Sequence, residues 1–332
     1  MTYITIAICL LAVAVTSGCS TGPRTFKIKL NKQKLTVKHG RTKILTYQAK
    51  PMRKPVGGDE FKGSNFIHPL KTPSGFTLTD LQPADHLHHF GLWWPWKFVK
   101  LGERKILCWE LQKGDGIIQA KEILNNMVTD TGAEFTAASD YIDRKAPGGP
   151  QIVLHEKLNA KITVPVDSPV DGYFLDMTIT HRCATETLLE IVKYRYSGFG
   201  FRGTDAWSKD NSTMLTSEGK DRDTSNNTRA KWVRVQGDAR ADSKAGIVFM
   251  SHPDNYDRPQ RLRTWNSKMM DGATFVNFNP VQKKPWTFEP GKDYVQRYQL
   301  FVYDGTVTAE QSEKLWQLYS VTSNMEQGIN NE

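Results

Sequence analysis

Apolar residues recur at every second position along much of the chain, and this period constrains the fold more than any other feature. Phe26, Ile28 and Leu30 alternate with Lys27 and Lys29; Leu175, Met177 and Ile179 repeat the pattern; Tyr298, Leu300 and Val302 alternate with Arg297 and Gln299. Side chains two apart share one face of a strand, so such segments read as antiparallel strands with one buried face. Residues 44–49, 105–111, 152–164, 188–196, 246–251 and 274–278 read as further strands. Gly, Pro and Asp clusters separate them, as at 147–150 and 290–293. One segment has helical character: Thr308 and Gln311 form a capping-box pattern, and Leu315, Leu318 and Tyr319 fall on one side of a short C-terminal helix. Many strands and one helix predict an all-β fold of two packed antiparallel sheets, since each sheet must bury an apolar face.

With 332 residues and no internal repeat or low-complexity linker, residues 25–332 are expected to form a single domain. Residues 2–18 carry no charged side chain and include an apolar run at 4–15, too short to span a bilayer alone. Small residues precede Cys19, so 1–19 reads as a lipoprotein or secretory signal with Cys19 as the lipidated residue and 20–24 as a short tether. The expected location is therefore the cell envelope, anchored to the outer membrane or periplasmic. Cys108 and Cys183 allow at most one internal disulfide, so no disulfide framework holds the fold. The net charge is +9, yet residues 20–62 hold twelve Lys or Arg against Asp59 and Glu60, which leaves the remainder near neutral. A basic N-terminal stretch suits an anionic membrane or polysaccharide surface, and no motif for nucleic acid is present.

Two stretches, 64–96 and 196–266, break the strand rhythm and concentrate groups that do chemistry, as site-building loops do. Four of the eight histidines are His68, His86, His88 and His89, with Asp85 before them and Trp93, Trp94 and Trp96 after. An extended segment would point His86 and His88 one way and Asp85 and His89 the other. Three uses compete for the imidazoles: general acid and base at a sugar, ligation of a metal by His86, His88 and His68, or simple holding of a sugar beside indole faces. Arg202 offers a fork matching a carboxylate or paired hydroxyls. Glu218 with Lys220, Asn227, Arg229, His252 and Asn255 are further candidates on loops.

Taken in order, the segments SNFIHPL, DHLHHFGLWWPW, TSEGKDRDTSNNTRAKW, SHPDNYDRPQRLRTW, FVNFNP and EPGKDYVQRYQLFVYDG resemble the bacterial family catalogued as "methane oxygenase PmoA". The resemblance covers about residues 25–320. The activity in that name is not carried over, because membrane methane oxygenases are helical copper proteins and this chain reads as β. What the resemblance implies is a galactose-mutarotase-like supersandwich and an exported protein that handles carbohydrate, without a cofactor. The chemistry of the two loop stretches, beside the positions that match the family pattern, marks His86, His88, His252 and Glu218 as the expected catalytic groups. Substrate would be bound by His68, Asp85, His89, Trp93, Arg202, Lys220, Asn227, Arg229, Asn255 and Arg263. Two departures from the family pattern stand out: Phe90 where an arginine is usual, and Gln260 where a glutamate is usual. The expected function is hydrolysis, elimination or epimerisation of a glycan, with Glu110 and Glu218 as the carboxylates a retaining glycosidase would need. The alternatives are a non-catalytic glycan-binding lipoprotein and a metal-dependent oxidoreductase.

Overall fold

The computed structural model describes residues 24–168, 170–240 and 242–329. Residues 1–19, expected to be a signal with Cys19 lipidated, and residues 20–23 of the expected tether lie outside the described residues. Strands dominate, all registered pairs are antiparallel, and they form three sheets. The first runs, in spatial order, through Phe26–Leu30, Lys34–His39, Thr42–Gln48, Phe66–Leu70, Leu92–Trp93, Phe199–Arg202, Phe275–Asn279 and Arg261–Thr264. The second runs through Ser212–Thr216, Trp232–Asp238, Lys244–Ser251, Tyr294–Asp304, Gly172–Cys183, Gln151–Thr163, Gly132–Asp143 and Gly116–Val128. The third, smaller, orders Trp286–Phe288, Leu189–Ile191, Phe98–Leu101 and Arg104–Leu107.

The period-two pattern does its work between the first two sheets. Leu35, Val37, Leu45, Tyr47, Leu92, Phe201, Val276 and Phe278 point inward from the first, against Phe135, Leu158, Leu175, Met177, Phe249, Leu300 and Val302 of the second. Rings meet across the gap: Phe199 stacks on Tyr298 at 4.2 Å, Phe201 tilts against Phe249 at 4.8 Å and Tyr47 against Phe135 at 5.4 Å. Each fully buried large apolar side chain contributes about 1.5–3 kcal/mol, so these paired faces hold the sandwich together. The all-β sandwich of antiparallel sheets with one C-terminal helix is the fold the alternation predicts. Cys108 and Cys183 are both buried and free.

Several boundaries differ from the sequence reading. The strand expected over 105–111 ends at Leu107, and a 3-10 turn at Leu111–Lys113 follows. Of residues 188–196 only Leu189–Ile191 is strand; beyond it the chain leaves the third sheet, its amides bonding to Phe98 and Val281 carbonyls. Gly116–Val128 is a long edge strand that alternation does not reveal, because its second half is exposed on both faces, Leu124, Met127 and Val128 included. The C-terminal helix, Ala309–Ile329, begins with the expected box: Thr308 N–H donates to Gln311 Oε1 and Gln311 N–H to Thr308 Oγ1. Its buried face is Ser312, Leu315, Trp316 and Tyr319, packed on Trp232, Met250 and Phe301 of the second sheet, while Leu318 faces outward at 58% exposure.

Candidate functional site

The outer face of the first sheet, away from the sandwich core, gathers several of the expected site residues. Strand register places Trp93 beside Gly200, Gly200 beside Asn277 and Asn277 beside Arg263, with Arg202 opposite Phe275 in the next row. Residues 83–89 fold over this face. They are not extended but form two successive turns, with His86 N–H donating to the Pro83 carbonyl and His89 N–H to that of His86. Gly91, at φ +75°, then swings the chain into the strand Leu92–Trp93, where a Cβ would lie 3.0 Å from the Ile67 carbonyl oxygen.

The turns gather all three imidazoles instead of sending them to opposite faces. The His86 ring lies 4.7 Å from that of His89 and 5.4 Å from that of His88, and His88 meets His89 edge-on at 4.9 Å. Aromatic walls enclose them: Trp265 is 4.8 Å from His86, and Trp93 and Phe275 are 5.1 and 5.3 Å from His89. Asp85 accepts a 2.8 Å hydrogen bond from Arg202 Nη2 and lies 3.5 Å from His86 Nδ1. The Arg202 guanidinium, 6% exposed, lies over the Trp265 ring at 4.8 Å.

Burial sets the protonation of this group. His89 is held well below its ordinary 6.5 by burial, reinforced by His88, His86, Arg202 and Lys97. His88 is pushed down to about 4, by burial first, with Glu110 and Asp85 pulling upward and His86 and Lys97 adding to the depression. His86 is lowered by burial and Arg202 against the pull of Asp85. All three are therefore neutral bases near neutral pH, and His86, 25% exposed, can meet a solute.

Tyr196 completes the group, although the sequence reading passed over it. Its phenol oxygen accepts a 2.8 Å hydrogen bond from Arg263 Nη2 and a 3.3 Å bond from Trp265 Nε1, which leaves its own hydrogen to donate. Arg263 is steadied by Asn226 Oδ1 at 3.0 Å. Glu110 pairs with the buried Lys97, close enough to His88 to act on its charge. Several polar atoms here have no hydrogen-bond partner among the described residues: Arg202 Nε and Nη1, His89 Nδ1, Trp93 Nε1 and Glu110 Oε2. Such a cluster calls for polar atoms supplied from outside the chain.

Other expected site residues lie elsewhere. His68 is pushed down to about 4 by burial and by Lys54 and Lys71, and its Nδ1 lies 2.9 Å from Thr79 Oγ1, with no ring contact to the other histidines. His252 is not beside them either. It ends a strand of the second sheet, its Nδ1 accepting the Asp254 N–H at 3.0 Å and its ring 5.4 Å from Tyr319. Asn255 is consumed by bonds to Ser251 and to both backbone polar groups of Arg297. Arg229 braces the 257–259 turn through Asp257 and the Pro259 carbonyl. Glu218 and Lys220 stand exposed on the turn after Ser212–Thr216, and Asn227 is exposed beside the useful Asn226. Glu218 accepts from Ser217 Oγ and Glu110 pairs with Lys97, so each carboxylate has its own local partner.

The two departures from the family pattern also fall outside the cluster of rings. Phe90 turns away from His89 to pack on Phe66 at 4.9 Å, beside a cavity of about 30 Å³ lined by Trp93, Cys108 and Trp109. Gln260 is fully buried, accepting from Tyr298 at 2.9 Å. Among the described residues no group of three or more His, Cys, Asp or Glu is arranged to hold a metal ion.

One buried network beneath the site also escaped the sequence reading. Glu156 accepts from Asn65 Nδ2 at 2.7 Å, Trp94 Nε1 at 2.8 Å, Ser139 Oγ at 3.1 Å and Tyr141 OH at 3.4 Å, and pairs with His181 Nε2 at 3.0 Å. Trp94 points in to this carboxylate as Trp93 points out to His89, so the network fixes the strand that bears the aromatic wall. Its signal was legible: Glu156 holds an inward position between Leu154 and Leu158, as His181 does between Ile179 and Cys183.

A family model described as "Family of unknown function (DUF6807)" matches residues 34–317. Among curated proteins, nothing matches. Solved structures with a similar arrangement include the GH36 alpha-galactosidase AgaA from Geobacillus stearothermophilus, 10% identical with a TM-score of 0.36, over 85% of this chain and 39% of that one. Another is the galactosidase domain of alpha-galactosidase-sucrose kinase, AgaSK, 12% identical with a TM-score of 0.38, over 84% of this chain and 42% of that one. A third is the heparan sulfate lyase HepC from Pedobacter heparinus, 10% identical with a TM-score of 0.32, over 86% and 36%. This chain spans less than half the length of each, and the chemistry proposed below rests on its own side chains.

Proposed function

The chain belongs to the DUF6807 family, and we propose that it is an exported carbohydrate-active protein that takes a uronate-bearing glycan on the outer face of its first sheet and cleaves it by elimination. The observation carrying this reading is the convergence of neutral His86 and His88, the Tyr196 hydroxyl and two guanidinium groups on one aromatic-walled patch. Indole and phenyl faces suit the C–H side of a sugar, while Arg202 and Arg263 suit a carboxylate. A buried imidazole that stays neutral serves as a base, not as a protonated acid.

In the proposed step, His88 or His86 takes the proton from the carbon next to the carboxylate. That electron pair forms the carbon–carbon double bond, the bond to the glycosidic oxygen breaks, and the Tyr196 hydroxyl gives its proton to the leaving oxygen. Solvent returns a proton to Tyr196 and removes one from the imidazole. Hydrolysis fits less well, because a retaining mechanism requires two facing carboxylates and Glu218 stands apart on an exposed turn.

The test is incubation with polygalacturonate, alginate and glycosaminoglycans, with and without chelator. Expected products carry a double bond conjugated to the carboxylate, seen by ultraviolet absorbance, and survive chelation; Tyr196→Phe and His88→Ala each lower kcat by about 10²–10⁴. New reducing ends without the double bond would replace elimination by hydrolysis, and binding without product would leave a glycan-binding lipoprotein. Activity abolished by chelator would restore the metal reading.

A further inference from the structure

Three strands at the N-terminal end of the first sheet, Phe26–Leu30, Lys34–His39 and Thr42–Gln48, bury Leu35, Val37, Leu45 and Tyr47 in the core. Lys27, Lys29, Lys34, Lys38 and Lys43 occupy the other face. Register sets Lys27 directly opposite Lys38 and Lys38 opposite Lys43, a row of three cations across three strands. Residues 24–58 contain eleven Lys or Arg and no Asp or Glu. Among the described residues none of these five lysines is in an ion pair.

Like charges set opposite one another weaken strand pairing, so this row works against the fold that carries it. Lysines do guard sheet edges against unwanted pairing, which accounts for Lys27 and Lys29 on the edge strand. It does not account for Lys38 and Lys43, whose strands lie inside the sheet. The outer face of the second sheet shows the ordinary arrangement, where Lys121 and His155 share the buried carboxylate of Asp140.

We propose that this lysine face docks on the anionic surface of a membrane. The position of the face in the chain supports that occupant. Phe26 follows Cys19 by seven residues and the apolar run 4–15 by eleven, and a chain extends at most about 3.6 Å per residue. Whether the segment is held through a lipid on Cys19 or through the apolar run itself, the lysine strands stay within a few tens of ångströms of the bilayer. An acidic polysaccharide would meet the same charges, but the tether would then have no bearing on where they lie. The lysines and the candidate site share the outer face of the first sheet but stand at opposite ends of its strand order, and the inference rests not on the catalytic reading but on residues 4–19 engaging a membrane.

Residues 20–332 contain every element of the described fold and can be prepared without lipid. The measurement is flotation with vesicles of phosphatidylcholine alone or mixed with phosphatidylglycerol. The protein should float with the mixed vesicles alone and be released by salt. Combined Lys27→Ala, Lys38→Ala and Lys43→Ala should weaken this binding roughly a hundredfold, given the contribution of each lysine near an acidic surface. The control Lys157→Ala, Lys161→Ala and Lys268→Ala removes the same charge elsewhere and should leave it unchanged. Equal losses in the two triple variants would reduce the effect to net charge and overturn the proposal. So would failure to float, and polygalacturonate retention through the same lysines by a non-floating protein would reassign the face to a polysaccharide.

Discussion

Glu156→Ala removes a carboxylate around which five side chains close, four as hydrogen-bond donors and His181 as an ion-pair partner. Hydrogen bonds to a charged group are worth about 1.5–3 kcal/mol each, but they are not additive, since the donors share one carboxylate. Removing one member of a buried pair costs about 3–5 kcal/mol, and that is the expected loss for the alanine variant. Glu156→Gln should cost less, about 2 kcal/mol, because its oxygen can still accept from Asn65, Trp94 and Ser139. Burial alone would raise the Glu156 carboxyl, but hydrogen bonding and charge from His181, with bonds from Trp94 and Asn65, outweigh it and hold the group below its ordinary 4.5. A carboxyl lowered on folding contributes stability that is complete above its unfolded value and fades as pH falls through the folded one. The gap between native protein and Glu156→Gln in urea unfolding should therefore be constant from neutral pH down to about 5 and close below 4.5. An alanine variant that loses less than about 1 kcal/mol, or a gap that persists at low pH, would refute the claim that an ionised carboxylate holds these strands.

Three further outcomes follow from the same geometry. Asp85→Ala leaves the buried Arg202 guanidinium without its anion and should cost about 3 kcal/mol in denaturant unfolding, with a change in tryptophan emission because Arg202 lies on Trp265. With His88 held near 4, kcat/KM should stay level from pH 8 to about 6 and fall as the imidazole takes up its proton near 4; a midpoint near the ordinary 6.5 would place His88 in water. Lys27→Ala with Lys43→Ala relieves two opposed contacts with Lys38 and should raise the melting temperature by a few degrees, as each contact costs roughly 0.2–1 kcal/mol.

Much of the sandwich was legible because its strands are wet on one side. Leu175, Met177 and Ile179, or Tyr298, Leu300 and Val302, alternate because their neighbours face solvent or polar partners. Gly116–Val128 was not legible, since an edge strand exposed on both faces imposes no such period, and its Ala, Lys, Glu and Leu suit a helix as well. For the site, the sequence brought forward Asp85, His86, His88, His89, Trp93, Arg202 and Arg263, which the structure gathers. It could not separate them from His252, Asn255 and Arg229, whose polar groups are spent on backbone and turns, because only tertiary contact decides how a loop side chain is used. Trp265 could have been found: it continues the outward parity of Arg261 and Arg263 past the strand end. Tyr196 had no comparable cue, as its role depends on two donors that lie about seventy residues away.

The imidazoles and the guanidinium groups are borne by different kinds of backbone. Arg202 and Arg263 project from hydrogen-bonded strands of the first sheet, whereas His86, His88 and His89 hang from two reverse turns. Turns of this sort open at lower free energy than the sheet beneath them. Heat should therefore silence the proposed elimination before the protein melts, with product formation vanishing while the far-ultraviolet signal of the strands is still intact, and cooling from that interval should restore it in full.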